Sequence, residues 1–179
     1  MTTYAALLRA VNVGGTGKVS MAELRAMAEK AGLKNARTLV QSGNLVFETA
    51  AKSGAAENLL EGSFEKTFGS RPDIHVRTGI ELAQIIARNP FPKEAKNDPA
   101  RLHVLFMREA PAPSAYEALQ AAIVGREEVR GDGRHAYMYY PDGQGVSKLT
   151  PAVLTRHLGM QGTARNWNTL TKLAALTAA

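Results

Sequence analysis

The sequence has no cysteine. Disulfides, thiolate nucleophiles and cysteine-ligated metals are therefore excluded, although this alone does not fix a compartment. Aromatic residues make up only 6% of the chain, and Trp167 is the single tryptophan. No stretch approaches the ~20 apolar residues of a membrane-spanning helix. The first apolar run, Tyr4 to Leu8, is broken by Arg9, so it does not read as a secretory signal. A soluble, cytoplasmic protein without membrane contact is expected, as monomer or homodimer. Catalytic signatures are also missing. There is no G-x-S-x-G and no H-E-x-x-H. His75, His103, His135 and His157 form no recognisable metal-ligand pattern with one another or with acidic residues. No metal and no cofactor is indicated.

What remains is an ordinary globular composition, with 45% hydrophobic residues in 179, enough chain for one domain or two small ones. The net charge of +6 and the pI of 9.7 allow an anionic partner without demanding one.

The most conspicuous stretch is Arg9-Ala-Val-Asn12-Val-Gly14-Gly15-Thr-Gly17-Lys18, between an apolar strand and a helix. A glycine-rich turn before a helix can present backbone N–H groups to an anion. Two familiar phosphate loops fail here. Aligned on Gly17-Lys18, a Walker A loop would have Asn12 as its first glycine and Val19 in place of the hydroxyl that holds magnesium. The dinucleotide fingerprint fails because Gly15-Thr-Gly17 is followed three residues later by Ser20. The alternatives are a tight solvent-exposed turn and an anion loop of another type. Arg9 is a charge in an otherwise apolar segment. Either its stem packs while its head reaches water, or its guanidinium is aimed at a carboxylate or phosphate beside the turn.

The periodicities give an element order. A strand over Thr3–Val11 leads to a helix opened by the capping box Ser20-Met-Ala-Glu23 and stopped by Gly32. A hairpin follows, Thr38–Val40 and Leu45–Phe47 around Gln41-Ser42-Gly43-Asn44. A helix carrying Leu60, Phe64 and Phe68, then a strand Asp73–Arg77, complete β-α-β-β-α-β, the ferredoxin-like order. The remainder reads as a variant, αβαββαα. It has a capping box at Thr78-Gly-Ile-Glu81, a loop over Phe91–Pro99 and a strand Leu102–Met107. A third capping box lies at Ser114-Ala-Tyr-Glu117. A hairpin around Gly131-Asp-Gly133, a helix from Pro151 and a last helix from about Asn166 follow. The expected fold is α+β, with two tandem ferredoxin-like subdomains over 1–78 and 79–179.

In that order, the turns after strands one and two open at the same end of the first sheet. Arg9, Asn12, Gly14, Gly15, Lys18, Gln41, Ser42 and Asn44 would then share one neighbourhood, rich in donors and poor in nucleophiles. A second candidate is Gly162-Thr-Ala-Arg165-Asn166-Trp167-Asn168-Thr169, read as a helix start. It is either a capping turn around a buried tryptophan or a polar helix N-terminus facing a ligand. Ser147 and Lys148 could join it. His135, Tyr137 and Tyr139 share a strand face, as an aromatic platform or as cross-strand packing. An RNA-recognition module needs spaced aromatics on strands one and three. Here strand three is Asn44-Leu-Val-Phe-Glu48 and strand one supplies only Tyr4, so stacking fails and nucleic acid would have to bind through basic charge.

Five motifs in order resemble a known family. They are Leu7-Leu-Arg9-Ala-Val-Asn12-Val-Gly14-Gly15, Gln41-Ser42-Gly43-Asn44, Asn89-Pro90-Phe91, Ser147-Lys148-Leu149-Thr150 and Gly162–Thr169. Together they are similar to the bacterial domain of unknown function family 1697, over essentially the whole chain. The resemblance implies a pair of ferredoxin-like α+β subdomains and no established activity, cofactor or substrate. The functional expectation is a site for a small anionic or phosphate-bearing ligand at the polar end of the first sheet. The alternatives are an enzyme acting on such a ligand without metal or thiol chemistry, and nucleic-acid binding through a basic surface.

Overall fold

A computed structural model of the chain describes residues 1–11, 19–39 and 43–178. The fold is α+β and contains two four-stranded antiparallel sheets. The chain divides into two compact units, 1–86 with 172–179, and 87–171.

In the first unit, strand β1 (Thr2–Leu8) is followed by helix α1 (Met21–Lys30), β2 (Lys34–Leu39), β3 (Asn44–Thr49), α2 (Ser53–Phe68), β4 (Ile74–Thr78) and α3 (Gly79–Ala87). The strand order is β2-β3-β1-β4. Tyr4, Ala6, Leu8, Leu45, Phe47, Ile74 and Val76 alternate onto one sheet face. There they form a core with Leu24, Met27 and Ala28 of α1 and Ala56, Leu60 and Phe64 of α2. The period of two on the strands meets the helical period on α1 and α2, which is what fixes the register. The Ser20 capping box forms in full, with Glu23 N–H donating to Ser20 Oγ at 3.0 Å and Ser20 N–H donating to Glu23 Oε2 at 2.9 Å. β2 starts earlier than its polar sequence suggests. A bulge between Lys34 and Arg37, with Asn35 in the left-handed region at φ 52°, hides its alternation.

The second unit holds a short helix α4 (Pro92–Asn97), β5 (Leu102–Met107), α5 (Pro113–Ala122), β6 (Glu128–Asp132), β7 (His135–Tyr139), α6 (Pro151–Leu158), β8 (Gly162–Asn166) and the start of α7 (Trp167–Thr177). Its strand order is β6-β7-β5-β8. Leu105, Met107, Val129, Ala136, Met138 and Tyr140 form its core with Leu119 of α5 and Leu154 and Leu158 of α6.

Three expectations are corrected here. Phe91–Pro99 is not all loop, because Pro92 takes the first helical position and Lys93-Glu-Ala-Lys96 continues it. The third capping box does not form. Pro113 starts α5 one residue earlier, so Ser114 lies inside the helix and Ala112 is the cap. Gly162–Asn166 is a strand, pairing antiparallel with β5 from His103↔Asn166 to Met107↔Gly162, and the last helix starts directly after it at Trp167, next to the expected Asn166. The second unit therefore runs β5-α5-β6-β7-α6-β8 in place of the variant order.

The two sheets share one register. Ala5 pairs with Val46 and Arg77, as Val104 pairs with Tyr137 and Arg165. Arg37 lies opposite Val46, as Arg130 lies opposite Tyr137. Thr78 ends β4 and caps α3, with Glu81 N–H donating to its Oγ1 at 3.0 Å. Asn166 ends β8 and caps α7, with Thr169 N–H donating to its Oδ1 at 3.0 Å. Among the described residues no helix is long and apolar enough to cross a membrane.

Candidate functional site

The polar end of the first sheet is built where β1 stops. β1 ends at Leu8 rather than continuing to Val11, and Arg9 and Ala10 form a turn. Leu8 N–H donates to Gly43 O at 2.9 Å, and Arg9 N–H donates to Asp73 O at 2.9 Å. The turn before β3 and the approach to β4 are thus both tied to the end of β1. Gly43 has φ 73°, and a β-carbon there would lie 3.2 Å from both Cβ and O of Leu8. Only glycine meets both the left-handed backbone and this approach. Ala10 also adopts the left-handed region, at φ 54°. A β-carbon makes that conformation cost roughly 1–2 kcal/mol, and such outliers concentrate where a site dictates the backbone.

Arg9 is half-buried. Among the described residues its guanidinium makes no hydrogen bond or ion pair. Asn44 is buried, and its side-chain amide donates to Leu39 O at 3.1 Å, closing the β2–β3 hairpin. This bond to the backbone is a use the sequence does not announce. Asn12, Gly14, Gly15, Lys18, Gln41 and Ser42 lie outside the described residues. Ala10 and Asp73 belong to this end of the sheet and were not expected, since nothing in a sequence marks an alanine as left-handed.

The remaining expected site residues lie in the second unit. Arg165 points from β8 onto the sheet face away from α5 and α6, and is only 8% exposed. Its Nη1 donates to Thr163 Oγ1 at 2.7 Å and to Ala164 O at 2.9 Å. Burial lowers its pKa to about 10. Asn166 is the α7 cap, while Asn168 is exposed and its carbonyl accepts from Thr171 Oγ1 at 2.9 Å. Lys148 is exposed. Beside it, Ser147 Oγ donates to Glu127 Oε1 at 2.5 Å and accepts from Leu149 N–H at 3.0 Å, and Thr150 caps α6. The Ser147–Thr150 motif therefore anchors a loop and starts a helix.

The β7 face is packed. Tyr137 is buried, His135 meets it edge-on at 5.4 Å, and Tyr139 donates to Asp98 Oδ2 at 3.0 Å. Among the described residues no three His, Asp or Glu side chains come together as a metal site.

A family model described as a protein of unknown function (DUF1697) matches residues 1–137. No curated protein matches the chain. The structure is similar to that of the conserved bacterial protein SP0830 from Streptococcus pneumoniae, with a TM-score of 0.71 and 23% identity over 98% of each chain. At that identity the likeness shows the fold alone.

Proposed function

The chain belongs to the DUF1697 family of proteins of unknown function, and we propose that it binds a small anionic ligand, phosphate- or carboxylate-bearing, at the polar end of the first sheet. One observation carries this reading. The second unit repeats the first in register, yet both connections that open at this end are longer in the first. Residues 9–20 join β1 to α1, whereas 108–112 join β5 to α5. Residues 40–43 join β2 to β3, whereas 133–134 join β6 to β7. Extra chain on a repeated scaffold is where binding residues are expected. It is flanked by a half-buried guanidinium with no partner among the described residues and by a strained Ala10. The repeated β-α-β-β-α-β order and its strand order support reading each unit as ferredoxin-like, and cytoplasmic location is part of the same proposal.

A thermal-shift comparison of the wild type and Arg9→Ala against inorganic phosphate, mononucleotides and small carboxylates tests it. A ligand at ~100 times its Kd adds about 2.7 kcal/mol, which at this size raises Tm by roughly 5–10 °C. The shift is expected in the wild type and should be lost in Arg9→Ala. Equal shifts in both proteins would overturn the role of Arg9.

A further inference from the structure

β4 is an edge strand, but its outer side is not open. In an antiparallel ladder, alternate residues turn both N–H and C=O away from the neighbouring strand. On β4 these are Ile74, Val76 and Thr78, and the Thr78 N–H donates to Glu81 Oε2 of its own capping box at 2.8 Å. Ile74 N–H donates to Glu61 Oε1 at 3.0 Å, and Val76 N–H donates to Glu57 Oε1 at 2.9 Å. The carbonyl of Val76 accepts from Arg77 Nη1 at 3.1 Å. Both glutamates belong to α2 and are 5% exposed. The spacing explains the fit. Residues four apart on a helix rise by about 6 Å, and residues two apart on a strand by about 6.6 Å. Two carboxylates one helical turn apart therefore meet two successive outward N–H groups. Arg71 holds the outer oxygen of Glu61 at 3.4 Å and also pairs with Glu65 at 3.2 Å.

The second unit treats β6 in the same manner. Val129 N–H donates to Gln120 Oε1 of α5 at 3.1 Å, and Val129 O accepts from Arg130 Nη1 at 3.0 Å.

We infer that the outer edge of β4 is a strand-pairing surface which the chain keeps occupied from within, Glu57 and Glu61 standing in for a fifth strand, and that the partner they exclude is a second copy of this chain. Two copies present the same edge, and β4 against β4 about a two-fold axis is self-complementary. An incoming strand would have to displace two buried carboxylates, which is costly without replacement donors.

The test compares two double variants by sedimentation velocity over a range of concentrations. Glu57→Met with Glu61→Met keeps the side-chain length and removes the acceptors. Glu57→Gln with Glu61→Gln keeps an oxygen acceptor at each position. The methionine pair is expected to form species of at least twice the wild-type protomer mass, and the glutamine pair to sediment as wild type. A methionine pair with native circular dichroism that sediments as wild type overturns the inference, as does association of the glutamine pair. If the methionine pair does not fold, amide exchange of the wild type decides. Ile74 and Val76 should exchange on the order of 10²-fold or more slowly than an unstructured peptide, and unprotected exchange at both would contradict the seal.

Discussion

The two units have the same strand order and register, yet they differ at one end. What is repeated is structural. Arg77 and Arg165 occupy matching places on the last strand of each sheet, and each donates to the carbonyl of the residue before it. Thr78 and Asn166 each end that strand and cap the next helix. What is not repeated is the chain between Arg9 and Ser20 and the turn ending at Gly43. The comparison separates a buried arginine that completes a sheet edge, Arg165, from a half-buried one at a lengthened turn, Arg9. From the sequence alone both read as ligand-binding.

The largest expected effect breaks the repeated feature. Arg77→Ala and Arg165→Ala each leave a cavity and an unsatisfied edge carbonyl, and each should cost on the order of 3–4 kcal/mol in urea unfolding. Arg165→Ala should leave anion binding intact at temperatures where the variant is folded. Loss of binding with unchanged stability would show that the two arginines are not structural equivalents.

The next effect sharpens a difference between the units. His103 of β5 stands in register where β1 has Tyr4. It is buried edge-on to Tyr140 at 5.2 Å, and burial lowers its pKa to about 4. The unfolded chain then binds a proton near pH 6.5 that the folded chain refuses until about pH 4. Stability contributed by neutral His103 is therefore complete above about pH 6.5 and lost as pH falls toward 4, by about 2–3 kcal/mol. His103→Phe should remove this part of the pH dependence. An unchanged stability profile between pH 7 and 4 in that variant would contradict it.

The smallest effect tests the matched caps. Thr78→Ala and Asn166→Ala should each destabilise by about 1 kcal/mol. A cost for one and none for the other would show that the repeat does not extend to the helix starts.

Legibility in the sequence followed the range of the interactions. The capping boxes at Ser20–Glu23 and Thr78–Glu81 are local, and both form. β8 was not legible, because Gly162-Thr-Ala-Arg-Asn166 has little apolar alternation and becomes a strand only through pairing with β5. The same polarity made Arg165 look like a binding residue, since its burial is set by tertiary structure. Asn44 illustrates the point within the first site. Its position was legible, whereas its bond to Leu39 O depends on how the hairpin closes.

The most direct test of the central claim is a titration of the ¹⁵N-labelled wild type with inorganic phosphate and a mononucleotide, followed by amide chemical shifts. The account predicts perturbations at Leu8, Arg9, Ala10, Gly43 and Asp73, with Met107, Arg108, Gly133 and Arg134 at the matching end of the second sheet unmoved. Perturbations at the second set without the first, or none at either with any oxyanion tried, would contradict it.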